Sequence, residues 1–208
     1  MDRRELIAKD LIRAEIPRLY WESAVSRVPE KYDYRSKLVG YLESMAKVKE
    51  KLGYVPGLYL WSEKNGTGKT FIACAVLKEM LRRGNTGLFV TVSGYKEALT
   101  GQGEEFDYKY SYEDRAKDVD CLVLDDFGKE YRTQTGFAEN KLEELIRHRV
   151  QNLKVTIITT NLSPAMLKEE YSADMADVCK EGFLILEIYG KNWRNDKEDQ
   201  IERLLRGE

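Results

Sequence analysis

Histidine, cysteine and long apolar runs are all scarce in this chain, and each scarcity removes a class of function. His148 is the one histidine among 208 residues, which excludes histidine-rich zinc sites and histidine-pair metalloprotease motifs. Three cysteines, Cys74, Cys121 and Cys179, lie far apart with no metal-ligand spacing, and three is a poor count for a disulfide framework. They read as reduced, small apolar residues of a cytoplasmic protein. No apolar run approaches the roughly 18 residues of a membrane span, and the charged N-terminus is no signal peptide, so neither a membrane segment nor an export route is expected. The net charge of -2 gives no global basic field. Any nucleic-acid binding must come from a local patch, or from a ring of subunits that concentrates one. There are no repeats and no low-complexity tracts. What remains is 42% hydrophobic and 34% charged, the composition of a soluble globular chain, with a length suited to one domain and a small appendage.

Five apolar runs, at 57–61, 87–92, 119–124, 155–160 and 183–188, alternate with helical patterns. That alternation predicts an α/β fold built on a five-stranded parallel sheet with flanking helices. Helices are expected over 36–52, 69–83, 136–150, 166–181 (interrupted near Ser172) and 193–206, with a short one from Ser93 to Leu99. Residues 1–16 read as a charged helical segment, either packed on its own domain or docking a partner, ahead of a domain over 17–208. Arg18 to Tyr34 is aromatic and irregular, a segment suited to lying across a core or stacking on an adenine ring. Residues 101–118 are polar, with aromatics interleaved with bases. They read as a loop, either pinned by its tyrosines or contacting single-stranded DNA by stacking and phosphate pairing. Tyr95, Lys96, Tyr108 and Lys109 are the candidate DNA-binding residues.

The chemistry centres on Trp61-Ser62-Glu63-Lys64-Asn65-Gly66-Thr67-Gly68-Lys69-Thr70. A strand, a glycine-bearing turn, then Gly-Lys-Thr opening a helix is the context of a phosphate-binding loop. The first N–H groups of a helix lack partners and carry partial positive charge, a vacancy that phosphate oxygens fill. Asn65, Gly66, Thr67, Gly68, Lys69, Thr70 and Phe71 are therefore the candidate nucleotide-binding residues. Lys69 is expected at the β- and γ-phosphates and the Thr70 hydroxyl on Mg²⁺. The full pattern wants glycine at 63, where this chain has Glu63; its carboxylate either repels the nucleotide or points to solvent. The second element is Val119 to Asp126, an apolar strand ending in two carboxylates about 55 residues after Thr70. Ligands collect outside the C-terminal ends of parallel strands. Asp125 is the candidate Mg²⁺ ligand, and Asp126 the group that orients or deprotonates the attacking water. Asn161, ending the run Lys154 to Thr160, either hydrogen-bonds water and γ-phosphate or caps the helix begun at Ser163-Pro164.

Together with Thr159-Thr160-Asn161 and Gly190-Lys191-Asn192-Trp193-Arg194, these motifs resemble an AAA+ ATPase of the bacterial and phage helicase-loader family, the DnaC/DnaI type, with IstB-type transposition ATPases as close relatives. The resemblance covers roughly residues 17–206. It implies an AAA+/ASCE-type P-loop NTPase with a much reduced C-terminal lid. Lys69 and Thr70 would be its Walker A residues, Asp125 and Asp126 its Walker B, and Asn161 its sensor 1. Relatives tend to carry an arginine after sensor 1 that reaches the neighbouring subunit's nucleotide, but Tyr171 to Val178 holds none here. Arg149 and Arg194 are the substitutes. The implied function is an ATP- and Mg²⁺-dependent loader of the replicative DNA helicase, a homo-oligomer that also binds single-stranded DNA. Glu63 and the missing arginine suggest slow hydrolysis. The competing readings are an IstB-like transposition helper, a non-hydrolysing nucleotide-gated adaptor, and an unrelated phosphate-loop kinase, which the lack of an acceptor or lid segment disfavours.

Overall fold

In a computed structural model, the structure describes residues 7–100, 106–128 and 137–206, with side chains for all of these except 100, 106–111, 137, 138 and 196–199. Five parallel strands, β1 (Gly57–Trp61), β2 (Gly87–Thr91), β3 (Cys121–Phe127), β4 (Val155–Thr160) and β5 (Phe183–Glu187), lie in the order β2-β3-β4-β1-β5. The α/β expectation therefore holds. Each strand alternates between two cores, because successive side chains point to opposite faces. Leu58, Leu60, Cys121, Val123 and Ile157 face one core, with α2 (Asp33–Leu52) and α3 (Lys69–Arg82). Tyr59, Leu122, Leu124 and Ile158 face the other, with α4 (Val92–Thr100), α6 (Phe137–Gln151) and α8 (Ala173–Gly182).

Register then sets the site. Trp61 pairs with Thr160, and Phe127 with the same Thr160, so β1, β4 and β3 end side by side. A register shift between Leu124 and Phe127 marks a bulge in β3. The strand thus runs through both aspartates, where the sequence pattern ended it at Leu124.

Two further departures concern local structure. Residues 106–118, expected as a loop, form helix α5 (Phe106–Asp118). Its anchors are Ala116, fully buried, and an i,i+4 pair between Glu113 and Lys117 at 2.7 Å. The N-terminal segment is integrated with the domain. Helix α1 (Ala8–Arg13) leads into Ala14, whose carbonyl accepts from Phe89 N–H at 2.8 Å on the edge strand β2. Leu11, Ala14 and Ile16 join the first core, so packing draws no boundary at residue 16. Residues 17–32, called the strap below, hold two short 3₁₀ turns, Arg18–Tyr20 and Val25–Arg27. Helices α7 (Pro164–Glu170) and α8 follow β4, the second capped by Ser172 Oγ accepting from Met175 N–H at 3.0 Å. Helix α9 (Trp193–Arg206) follows β5. No described helix is long and apolar enough to cross a membrane.

Candidate nucleotide site

β1 delivers the chain into a loop that closes on α3. Gly66 and Gly68 have φ of 75° and 99°, the left-handed region where a Cβ is penalised. Gly66 is also held by contact: a Cβ there would stand 1.9 Å from Asn192 Oδ1. Trp193 N–H donates to Gly66 O at 2.9 Å, so the turn after β5 lies directly on the loop. Lys69 is buried at the first position of α3, and its ammonium donates across the loop to Lys64 O at 3.2 Å. The Thr67 hydroxyl is buried with no hydrogen-bond partner among the described residues. Glu63 is exposed and outside the cavity wall. Its carboxylate takes the solvent alternative.

Beneath the loop the strand ends converge. Asp125 Oδ1 accepts from the Thr70 hydroxyl at 2.9 Å and from the Thr159 hydroxyl at 2.6 Å. Thr159 Oγ1 in turn accepts from Asp126 N–H at 3.0 Å. Asp126 has φ of 61°, unusual for a residue with a Cβ, and the bulge in β3 maintains it. That kink turns Asp126 onto the cavity wall while Asp125 stays buried against Thr70. Asn161 Nδ2 donates to Glu63 O at 3.3 Å and to Asn65 Oδ1 at 3.2 Å. Its Oδ1 is buried with no partner among the described residues.

A cavity of about 450 Å³ opens above the loop, walled by Leu19, Tyr20, Arg27, Val28, Pro29 and Tyr34 on the strap side and by Trp193 and Arg194 on the other. That volume suits a nucleotide-sized ligand. The two walls are tied together. Tyr32 and Tyr34 stack at 5.2 Å, and Tyr189 meets both edge-on. Tyr189 O–H donates to Asp33 Oδ1 at 2.5 Å, and this bond is the first cause holding Asp33 below its ordinary value. Gly190, at φ 140°, passes so close to Tyr32 that a Cβ would lie 2.6 Å from its hydroxyl. Burial, and then the Asp125 carboxylate, raise Tyr20, so its phenol is neutral.

The donor set fits magnesium–ATP. Left-handed glycines bring backbone to the loop's inner face, a buried lysine and an orphaned hydroxyl stand there, and a hydroxyl–carboxylate pair of the kind hard cations prefer lies at the helix start. Among the sequence-predicted residues, Asn65 to Phe71, Asp126 and Arg194 line one cavity; Asp125 lies behind Thr70, and Asn161 braces the loop.

Others are not brought there. Arg149 is fully buried on α6 at the N-terminal ends of β3 and β4, the opposite ends of the strands from the loop. It donates to Thr156 Oγ1 and to the carbonyls of Ala116, Lys117, Val119 and Val155 at 2.6–3.0 Å. It caps the end of α5 and cannot reach a neighbour's nucleotide, which corrects its candidacy. Tyr95 is fully buried, in register with Val92 and Leu99 against β3. Lys96 is buried and paired with Glu139 at 2.8 Å. Neither is placed to contact DNA, again a correction. Tyr108 and Lys109 belong to α5, and their side chains lie outside the described residues. Sequence reading missed Thr159 as the brace of Asp125 and Asn192 as the lock on Gly66: both stand inside the motifs at 159–161 and 190–194, but neither was given a role there. The aromatic segment Arg18 to Tyr34, read as lying across a core or stacking on an adenine ring, supplies Tyr20 and Tyr34 to the cavity wall.

A family model described as IstB-like ATP binding protein matches residues 30–178. Replicative helicase loader DnaC of Escherichia coli (strain K12) is 25% identical over 138 residues, 62% of this chain and 54% of the relative. Replicative helicase loader DnaI of Bacillus subtilis (strain 168) is 26% identical over 140 residues, 66% of this chain and 43% of the relative. The chain thus spans about half the length of the curated relatives it matches. A crystal structure of DnaI superposes with a TM-score of 0.68 at 24% identity, covering 85% of this chain and 93% of that one. AMPPCP-bound DnaA from Aquifex aeolicus superposes at 0.62 and 20% identity, covering 90% and 56%.

Proposed function

Since the chain belongs to the IstB-like ATP-binding family, a group of P-loop NTPases, we propose that it is an ATP-driven loader of the replicative DNA helicase. The observation that carries the nucleotide chemistry is the Thr70–Asp125–Thr159 hydrogen-bonded set beneath two left-handed glycines. The helicase as partner rests on the similarity to DnaC and DnaI.

In this reading the loop's N–H groups and the Lys69 ammonium bind the phosphates. Thr70 and Asp125 would hold Mg²⁺, which would supply charge neutralisation at the γ-phosphate. Asp126, turned toward the cavity by the bulge, orients or deprotonates the attacking water. Asn161 fixes the outer loop through Asn65, and its orphaned Oδ1 is an acceptor for that water. Tyr34, Val28 and Pro29 form an apolar wall for the base. Subunits of a homo-oligomer would hold the helicase while ATP is bound and release it on hydrolysis. Single-stranded DNA is the second partner, at contacts other than Tyr95 and Lys96; Tyr108 and Lys109 remain candidates.

Affinity capture with the host's replicative helicase, run with ATP and with ADP, tests the loader reading. Helicase retained with ATP and released with ADP is expected; no capture in either state refutes it. A Lys69→Ala chain that bound Mg–ATP with wild-type affinity would sink the site. The IstB-like family match favours a second reading, a transposition helper. Capture of a transposase, with preference for duplex over single-stranded DNA, would select it.

A further inference from the structure

The turn from Tyr189 to Arg194 meets the phosphate loop at three points. Trp193 N–H donates to Gly66 O at 2.9 Å. Asn192 Oδ1 accepts from Arg194 N–H at 3.0 Å, which caps α9, and the same oxygen fills the space that a Cβ on Gly66 would need. The Trp193 indole lies over Gly68, its edge 3.7 Å from where a Cβ would stand. Lys191 Nζ is 4.3 Å from the centroid of that ring. Both left-handed glycines of the loop thus rest on one residue, Trp193.

The first contact sets a direction as well as a distance. In a planar trans peptide the C=O of one residue and the N–H of the next point in opposite directions. Gly66 O points at Trp193, so Thr67 N–H points away from α9. Gly66 cannot impose that orientation alone, because glycine adopts either hand of backbone. Thr67 is 2% exposed, and neither its N–H nor its hydroxyl has a hydrogen-bond partner among the described residues. Buried donors are seldom left unpaired. Two on one residue, in a loop that the Lys69 ammonium spans to reach Lys64 O, suit an anionic ligand.

We propose that Trp193 is a positioning residue of the phosphate site: its main-chain N–H holds the 66–67 peptide so that the Thr67 N–H and hydroxyl meet a phosphate oxygen. The inference deepens the magnesium–ATP reading of the site and rests on it. The group that acts is the main-chain N–H, and Asn192 supports it by capping the turn of helix that carries it. The turn is anchored in its own right, since Tyr189 O–H donates to Asp33 Oδ1 and Gly190 packs against the Tyr32 ring. A phosphate donor in the loop is thereby oriented from the same turn that ties down the end of the strap.

Trp193→Pro tests this in the full chain. Position 193 is the first residue of α9, where proline fits, so the variant deletes the N–H at little cost to the helix. Trp193→Ala loses the same indole but keeps the N–H, and is the reference. Affinities are measured by displacing a fluorescent ATP analogue with Mg–ATP and with Mg–tripolyphosphate, which has no base and reads the phosphate contacts alone. Trp193→Pro should bind both more weakly than Trp193→Ala by the same factor, about two- to tenfold, the range of one neutral hydrogen bond. Equal affinities in the two variants, or a loss confined to ATP, overturn the proposal. Should Trp193→Pro melt early, a second pair decides. Asn192→Ala, which uncaps α9 beside the same bond, should weaken tripolyphosphate binding, and Asn192→Ser, still able to cap, should restore it; no loss, or no restoration, overturns the proposal as well. Failure of wild type to bind the analogue, matching a Lys69→Ala control, removes the ATP reading and this inference with it.

Discussion

Arg149→Met separates a structural arginine from a catalytic one. The guanidinium makes five hydrogen bonds, four of them to carbonyls at the end of α5 and the start of β4. Burial pushes it down to about 10, which still leaves it cationic at neutral pH. Methionine fills much of the volume and offers no donor. Thr156 can turn its hydroxyl elsewhere, and carbonyls with a second partner lose less. If two of the four carbonyls are left unpaired at about 1–3 kcal/mol each, the loss is about 4 kcal/mol. Against a total of ~5–15 kcal/mol for a domain, that is a large share, and for this size it corresponds to a fall in Tm of about 8–16 °C. Thermal melts followed by circular dichroism, paired with ATP turnover below the melting range, measure both. A variant melting within about 2 °C of wild type but lacking turnover would refute the reasoning. It would return Arg149 to the nucleotide.

Three further perturbations address the site. Gly66→Ala sets a Cβ against Asn192 Oδ1 at a φ of 75°; nucleotide affinity, measured by a fluorescent analogue, should fall at least about tenfold, from roughly 1–2 kcal/mol of backbone strain plus displacement of Asn192. Asn161→Ala removes the tether to Glu63 O and Asn65 Oδ1, so turnover should drop by more than affinity does; equal losses in both would mean it only supports the loop. Lys78→Met leaves the carbonyls of Trp21 and Ser23 without their donor. Hydrogen exchange over the strap should quicken while that of β3 and β4 amides stays slow, and a uniform rise would instead signal global destabilisation.

Most of the fold was legible because it is written locally. Strands buried on both faces read as continuous apolar runs, and the five in the sequence are the five in the sheet within a few residues. The phosphate loop, Asp125 and Asp126 were legible because their chemistry demands residue types at short, ordered spacing. Arg149 and Lys96 were misread for one shared reason: each is polar by type, and its partners are distant in sequence; Tyr95 was misread because it packs as an apolar residue on the buried stripe of α4, its hydroxyl without a hydrogen-bond partner among the described residues. Arg149 is satisfied by carbonyls some 30 residues away, separations of 30–33 for three of them, and Lys96 by Glu139 on another helix. Helix α5 was read as a loop because its aromatics alternate at period two, and the guanidinium that caps it belongs to α6.

The structure also redistributes the argument about turnover. Glu63 no longer counts against hydrolysis, since its carboxylate is exposed and only its carbonyl touches the site. The arginines count more. With Arg149 buried at the N-terminal ends of β3 and β4, the described arginines on the cavity are Arg27 and Arg194, one on the strap and one after β5. Neither sits on a strand end, so neither is held by the sheet as Asp125 and Asp126 are. Their charge reaches the site only to the extent that the strap and the turn at 190–194 are closed over it, and those two segments are joined to each other through Tyr32, Tyr34 and Tyr189. Charge stabilisation of the kind an arginine provides in phosphoryl transfer is therefore tied to a conformational closure. A site built this way couples what it binds to the position of its N-terminal strap, as the proposed use of ATP to hold a partner requires.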